Sequence, residues 1–513
     1  MAKNKRKFKK SPPTPPKEVK VAATPFVSKL HFPDVSNPLD AQLRKIFWGL
    51  TALFFVITVG LAINSGINGD DSFQNDYSDQ LVDWYLTMGQ DTSAFYHPKG
   101  PIQYYGGIYE IPTGAVNRVL GLDVNDTAYH QIRHFFNALF GVLAMVFVGL
   151  FARSIGGWQA GIIGLILIFL SPRFLGHSLM NPKDIPFAAG YIMAIYFLAQ
   201  LIKELPQPNN KTLWGLAGGV AIAFGTRAGG LILVPYIVMF IGLAFLLKNG
   251  IPALFKNIQL TGKYIAYGII PIIAGMLVGI LFWPYALVDP INHIPESLGG
   301  LTKYAINIRM LFEGNMIFGK EVPNTYLLTW IYQTVPLFAH LGLLVVLGLS
   351  WKMVKRFSPL LLFLALFTAL FPVIYVIIKG STLYDGWRHL QFAYLPLVSL
   401  IAVGWSYLID IFRKKKITTE EELITTKSLS PISYIAIGIL ALTALEPAWF
   451  ITKNKDYPYV YFNPLAGGIE TAFGEYETDY WGTSMQTAME WLEDEGIVSE
   501  NMTDTITIAS NFS

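Results

Sequence analysis

An all-α membrane protein, a polytopic bundle of about eleven transmembrane helices, is what three features of this chain predict. Of its 513 residues, 53% are hydrophobic and 14% charged, with a mean hydropathy of +0.42. A soluble domain carries about 25% charge. The apolar residues gather into runs near the ~20 residues that a bilayer span needs. Lysine and arginine then alternate between connecting segments, as the positive-inside rule requires.

Residues 1–45 form a basic, proline-rich tail: Lys3, Lys5, Arg6, Lys7, Lys9 and Lys10 crowd its start. Such a tail reads as a cytoplasmic orientation signal rather than a nucleic-acid arm. The apolar runs lie at 46–64, 132–152, 159–170, 185–202, 212–225, 231–248, 264–283, 326–351, 359–378, 390–412 and 432–452. The third and fifth are short for a full span. Arg153, Lys203, Lys211, Lys248, Lys256, Lys352, Lys355, Arg356 and Arg413–Lys416 fall on the tail's side. An odd count places the C-terminal segment 453–513 on the other side, as a short outer segment cut off early. The expected division is therefore tail 1–45, membrane domain 46–452 and outer segment 453–513. The chain would be a multi-pass plasma or inner membrane protein, N-terminus cytoplasmic and C-terminus outside.

The first outer segment, 66–131, is too long for a plain connection. Aromatic-rich helical spacing at 78–88 and 102–120 predicts interfacial helices there, and 298–312 reads as a further outer helix. Zero cysteines exclude disulfides and thiolate chemistry. Walker loops, HExxH and a dinucleotide fingerprint are absent. Gly215–Gly219, inside a span, reads as helix packing. Glu446 sits in the last run with no evident partner.

Three ionisable clusters fall on the outer side, where such groups are costly unless they pair, reach water or bind something. They are Asn68-Gly-Asp-Asp71, Ser171–Asp184 with Arg173, His177, Lys183 and Asp184, and Tyr384-Asp-Gly-Trp-Arg-His389. Asp70 or Asp71 could serve as a general base at the membrane surface; the plain alternative is a solvated loop acid. Asp184 precedes Ile185-Pro186, where an Asp can cap a helix. Outer cations oppose the orientation bias: Lys99, Arg227 at a hairpin tip, and Arg388-His389. Each alone could be a snorkelling anchor. Beside carboxylates they suggest an anion site, for which a lipid-linked phosphate is the natural ligand. His97, His293 and Glu296 could hold a divalent cation, although nothing in their spacing demands one.

In this order, the features resemble the GT-C glycosyltransferases, from about Ile46 to Leu492, toward the protein O-mannosyltransferase and aminoarabinose transferase branch called glycosyltransferase family 39. The acidic pair resembles the family's outer-loop pair, whose first member is the proposed base; that implies Asp70. Asp71 stands where Glu is common. His97-Pro-Lys-Gly-Pro101 resembles a Lys-Pro-Pro segment whose lysine meets the donor phosphate, implying Lys99, with Gly100 replacing one proline. Phe224-Gly-Thr-Arg-Ala-Gly229 resembles the hairpin that carries a basic residue, here Arg227. The segments 383–389, 459–464 and 477–482 look like those of uncharacterised members. The resemblance thus implies a catalytic Asp70 and donor-phosphate contacts from Lys99 and Arg227; the clusters themselves add Asp71 and Asp184 as candidate catalytic acids and Arg388 and His389 as candidate phosphate contacts. Arg173, His177, Lys183, Tyr384 and Asp385 would support the acceptor or its loops. The resemblance implies inverting transfer of a sugar from a polyprenyl-phosphate donor to a hydroxyl of a protein or a lipid or glycan acceptor. A transporter or flippase of a lipid-linked sugar is the alternative. It would want ionisable residues near mid-bilayer rather than on one face.

Overall fold

The computed structural model of the chain describes residues 30, 32–98, 100–302, 308–417, 425–499, 502, 506 and 507. Lys99, the basic start of the tail and most of 500–513 lie outside the described residues. Among those described, nine helices are long and apolar enough to cross a membrane. The protein is a multi-pass membrane protein.

The spans begin with α1 (Asp40–Ala62) and continue, after α2 (Asp71–Leu86) and α3 (Glu110–Leu120), with α4 (Thr127–Phe169). At 43 residues, α4 would be about 64 Å long if straight, twice the hydrocarbon thickness. It is not straight. Gly157 has φ +83 and ψ 179, and beyond it the chain folds back. A Cβ on Gly149 would lie 2.9 Å from the Gly161 carbonyl oxygen across the turn. α5 (Pro172–Met180) precedes α6 (Asp184–Glu204), α7 (Asn210–Phe224) and α8 (Leu233–Asn249). With 15 residues, α7 is too short to count as a span. The expected eleven is therefore reached only by counting both arms of α4 and including α7.

Small residues bring these helices together. A Cβ on Gly190 of α6 would sit 2.4 Å from Ala223 N, and one on Gly219 of α7 2.5 Å from Ala194 N. Gly215–Gly219 thus packs helices, as its setting predicts.

Then come α9 (Ala253–Lys256), α10 (Ile258–Ile280), α11 (Pro284–Val288) and α12 (Pro290–Thr302). The expected helix at 298–312 is replaced beyond α12. There β1 (Arg309–Phe312) pairs antiparallel with β2 (Asn315–Phe318) around Glu313-Gly314, both at positive φ, the geometry of a tight hairpin turn. The expected single span 326–351 is broken at Val335-Pro336 into α13 (Tyr326–Thr334) and α14 (Leu337–Arg356). Proline lacks the N–H needed to continue the ladder. α15 (Pro359–Lys379), α16 (Gln391–Ile411) and α17 (Pro431–Lys453) complete the bundle. Strands β3 (Lys414–Ile417) and β4 (Thr425–Ser428) lie between the last two. Helices α6 and α16 are largely buried, whereas α1, α14 and α17 turn apolar side chains outward.

The 66–131 connection departs from expectation. α2 begins at Asp71 rather than Ser78, and of 102–120 only Ile102–Tyr104 and α3 are helical. The segment between them lies against the turn after α7. Gly106 N donates to Thr226 O (2.9 Å) and Ile108 N to Gly225 O (3.2 Å). A Cβ on Gly106 would lie 2.2 Å from Gly225 O, so only glycine permits this approach. α3 turns Glu110, Thr113 and Asn117 inward and leaves Val119 and Leu120 exposed. That polarity suits a helix lying in the membrane interface. Glu110 pins it to α4 through a buried pair with Arg133, at 2.6 Å.

Candidate active site

The three clusters converge at one end of the bundle. Two of them share a local design, Asn-x-x-Asp at a helix start. Asn68 Nδ2 donates to Asp71 Oδ1 (3.0 Å) while Asn68 Oδ1 accepts from Asp70 N (2.9 Å). Asn181 Nδ2 donates to Asp184 Oδ2 (2.7 Å) while Asn181 Oδ1 accepts from Lys183 N (3.2 Å) and Asp184 N (2.9 Å). The two turns touch, because Asn68 Nδ2 also donates to Met180 O (3.2 Å).

Within each turn the two final residues differ in fate. Asp71 is buried, also accepts from Asn68 N (2.9 Å) and lies 3.9 Å from His134 Nε2. Its carboxylate is spent on holding the loop. Asp70 is half-buried at the start of α2, and its carboxylate has no hydrogen-bond or ion-pair partner among the described residues. Its charge reaches Asp385, Arg388 and Tyr105.

Asp184 does not cap α6; Asn181 supplies that acceptor instead. The freed carboxylate receives Arg227 Nη2 on Oδ1 (2.5 Å) and Arg388 Nη1 on Oδ2 (3.5 Å). Arg388 is also paired through Nε with Asp385 Oδ2 (2.9 Å). Its guanidinium lies between the rings of Tyr384 (5.0 Å) and Trp481 (5.3 Å). With its side chain 6% exposed, Arg388 is an organiser of carboxylates more than an open anion clamp. Asp385 itself adopts φ +54, a left-handed conformation uncommon for non-glycine residues, though aspartate is among those that adopt it most readily.

His177 links this network to the C-terminal segment. Asn181 Nδ2 donates to His177 Nδ1 (2.9 Å), so Nε2 carries the proton and faces Tyr480 Oη (2.7 Å). Burial pushes the imidazole well below its usual pKa and keeps it neutral. Arg173 is buried over Trp330 (5.0 Å) and Phe462 (5.2 Å), and its Nε donates to Tyr461 O (3.3 Å). It ties α5 to α13 and to the 459–463 segment. Glu446 accepts from Tyr461 Oη at 2.5 Å, which gives this acid in the last span a partner.

A cavity of about 230 Å³ opens beside these charges. Arg227, Tyr105, Tyr384 and His389 form its polar end; Phe187, Ile232, Pro372, Tyr375, Val376 and Phe392 form its apolar walls. Lys183 borders the same tyrosine, its Nζ 4.9 Å from the Tyr105 ring and 5.6 Å from that of Phe73. Among the described residues no group of three or more His, Asp or Glu side chains is arranged to hold a metal ion.

Sequence reasoning missed Asn68 and Asn181 as organisers, although the repeated Asn-x-x-Asp spacing is a usable signal. It also missed Tyr105, Glu477, Tyr480 and Trp481, which reach the site only through folding. Burial, aided by the nearby Asp385 charge, pushes Glu477 up to about 8. Burial, offset in part by Arg388, leaves Asp385 raised to about 6. The folded state therefore holds protons that the unfolded chain releases above the usual carboxylate range. Stability is expected to fall as pH rises from about 5 to about 8 and then level off. Thermal unfolding scans across that range should show the decline, and Glu477→Gln should flatten most of it. An unchanged slope in that variant would remove Glu477 as the source.

Compared with known proteins, residues 121–292 match the family described as dolichyl-phosphate-mannose-protein mannosyltransferase. The whole bundle superposes on the archaeal oligosaccharyltransferase AglB of Archaeoglobus fulgidus, a structure holding an inhibitory peptide and a dolichol-phosphate. There the TM-score is 0.54 at 14% identity, covering 92% of this chain and 62% of that one. The chain has the GT-C glycosyltransferase fold. A second structure of the Archaeoglobus fulgidus enzyme, with zinc and sulfate, matches at TM-score 0.51 and 14% identity, over 90% of this chain and 59% of that one. ArnT of Cupriavidus metallidurans bound to undecaprenyl phosphate matches at 0.48 and 12%, over 85% and 75% of the two chains. The chain thus spans about 62% of the length of AglB. No curated protein matches it in sequence.

Proposed function

We propose that this protein is an inverting glycosyltransferase that moves a sugar from a polyprenyl-phosphate donor to a hydroxyl on the outer face of the cell membrane. The observation that carries the reading is the uncommitted Asp70 carboxylate, whose charge reaches Tyr105 in the wall of a cavity with a cationic end and apolar walls. Asp70 accepts the proton of the attacking hydroxyl. Arg227, with Lys99, meets the donor phosphate, and the prenyl chain lies along Ile232, Pro372, Tyr375 and Val376. Tyr384 and His389 close the polar end. Arg388 and Asp184 hold Arg227 and Asp385 in place, and Asp71 holds the loop that presents Asp70. Arg173 and His177 brace the outer segment that covers the site.

The dolichol-phosphate held by AglB and the lipid-phosphate sugar in the matched family's description support a donor of this class. A protein serine or threonine, or a lipid or glycan hydroxyl, is the acceptor. Ionisable groups gathered at one end favour transfer at a surface over passage through the bilayer. We place the tail 1–45 in the cytoplasm, the membrane domain at 46–452 and the segment 453–513 outside. A reporter fused after Lys416 is expected to read as inside and one after Ser513 as outside; the reverse result would put the site on the wrong face.

The direct test incubates the purified protein in lipid nanodiscs with a panel of undecaprenyl-phosphate-linked sugars and hydroxyl acceptors. A glycosidic product of inverted anomeric configuration with release of undecaprenyl phosphate is expected. Movement of the lipid-linked sugar across vesicles, with no glycosidic bond formed, would replace this reading by transport.

A further inference from the structure

The two Asn-x-x-Asp turns present different residues from the same local position. In each, the asparagine amide ties up the final aspartate, and its carbonyl oxygen binds the backbone N–H of the residue just before. That preceding residue is Asp70 in one turn and Lys183 in the other. Neither side chain is used by the turn that carries it. Since Asn68 also bonds Met180 O, the two positions are held side by side against Tyr105. No ion pair joins them, and Lys183 lies within ion-pair distance of no carboxylate among the described residues.

Charge accounting separates Lys183 from the other cations. Arg388 answers both Asp184 and Asp385, and Arg227 answers Asp184. Two carboxylates and two guanidiniums leave that cluster neutral. Apart from Asp71, whose carboxylate is held by Asn68, the charges left beside that cluster are the Asp70 carboxylate and the half-buried ammonium of Lys183.

We infer that Lys183 binds the departing phosphate of the lipid donor, as the cationic counterpart of Asp70. This rests on the transferase reading above. In the transfer, the acceptor oxygen forms a bond to the anomeric carbon as the bond to the phosphate oxygen breaks. That electron pair leaves with the phosphate, and the hydroxyl proton passes to Asp70. One negative charge thus moves from Asp70 to the phosphate, which goes from a singly charged diester to a doubly charged monoester. A fixed ammonium between the two sites interacts with the charge before and after it moves. It favours the dianionic leaving group, which is where transition-state stabilisation is needed.

The test compares two ligands on the full-length protein in nanodiscs: undecaprenyl phosphate and its singly charged methyl diester. Lys183→Met keeps the stem over Tyr105 and Phe73 and removes the charge. It should weaken undecaprenyl phosphate by about 10- to 100-fold, the loss of one charge-assisted contact, and the diester much less. A phosphate monoester takes its second charge near pH 6. Affinity for undecaprenyl phosphate should therefore rise through about that pH in the wild type and rise less in the variant. Lys183→Arg should recover most of the loss. Lys183→Gln is the second charge-removing variant should the first fold poorly. Equal weakening of both ligands, or wild-type affinity for both, overturns the assignment of Lys183 and leaves the transferase reading standing. Failure of the wild-type protein to bind either ligand would instead sink that parent reading.

Discussion

Asp70→Asn is expected to lower sugar transfer by about 10²–10⁴-fold, the range for loss of a general base, while donor affinity changes little. The amide preserves shape and most hydrogen bonding but cannot take the acceptor proton. The turn should survive the change, because Asn68 holds Asp70 through its backbone N–H and not its carboxylate. Asp71→Asn is the informative contrast. Its carboxylate accepts two bonds from Asn68, so an amide there should loosen the loop and lower thermal stability together with activity. Transfer rates and unfolding midpoints of the two variants separate a chemical role from a structural one. Near-wild-type turnover by Asp70→Asn would remove the proposed base.

The second large effect is expected from Asp184→Asn. If Asp184 capped α6, asparagine would replace it at little cost, since the two cap about equally well. In the structure its carboxylate instead joins Arg227 and Arg388, with the Asp184 side chain 3% exposed. Removing the charge leaves guanidinium groups facing each other without their shared counterion. Breaking a buried pair in this way costs on the order of 3 kcal/mol. The variant should unfold at lower temperature in detergent and lose donor binding, because Arg227 is no longer aimed at the cavity. Unchanged stability with unchanged donor affinity would return Asp184 to the status of an ordinary helix-start residue.

Some of this was legible in the chain before folding. The apolar runs and the alternation of Lys and Arg are local, one-dimensional signals of a bilayer solvent. They placed most spans within a few residues of where the helices lie. They also put 68–71, 171–184 and 384–389 on one face, where the structure brings them into contact. The errors have physical causes as well. The run 326–351 breaks at Pro336, which periodicity alone does not register. The stretch 105–109 trades helix for backbone pairing with the turn after α7, a partner more than a hundred residues away. Gly157 joins two arms into one long element, so span counts differ with the criterion.

What the sequence by itself determined is the class of protein and that its three ionisable clusters gather at one end of the bundle, because membrane insertion depends on the composition of each segment. What only the tertiary structure decided is which charges are free. Asp70 and Asp71 are neighbours of the same chemical type, as Lys183 and Arg388 are both cations, and no local pattern separates one from the other. Asp71 and Arg388 are consumed by partners that folding brings to them. Asp70 and Lys183 are left over beside Tyr105. Long-range electrostatic pairing in a low-dielectric site settles that division, and it depends on distances that only the folded chain defines.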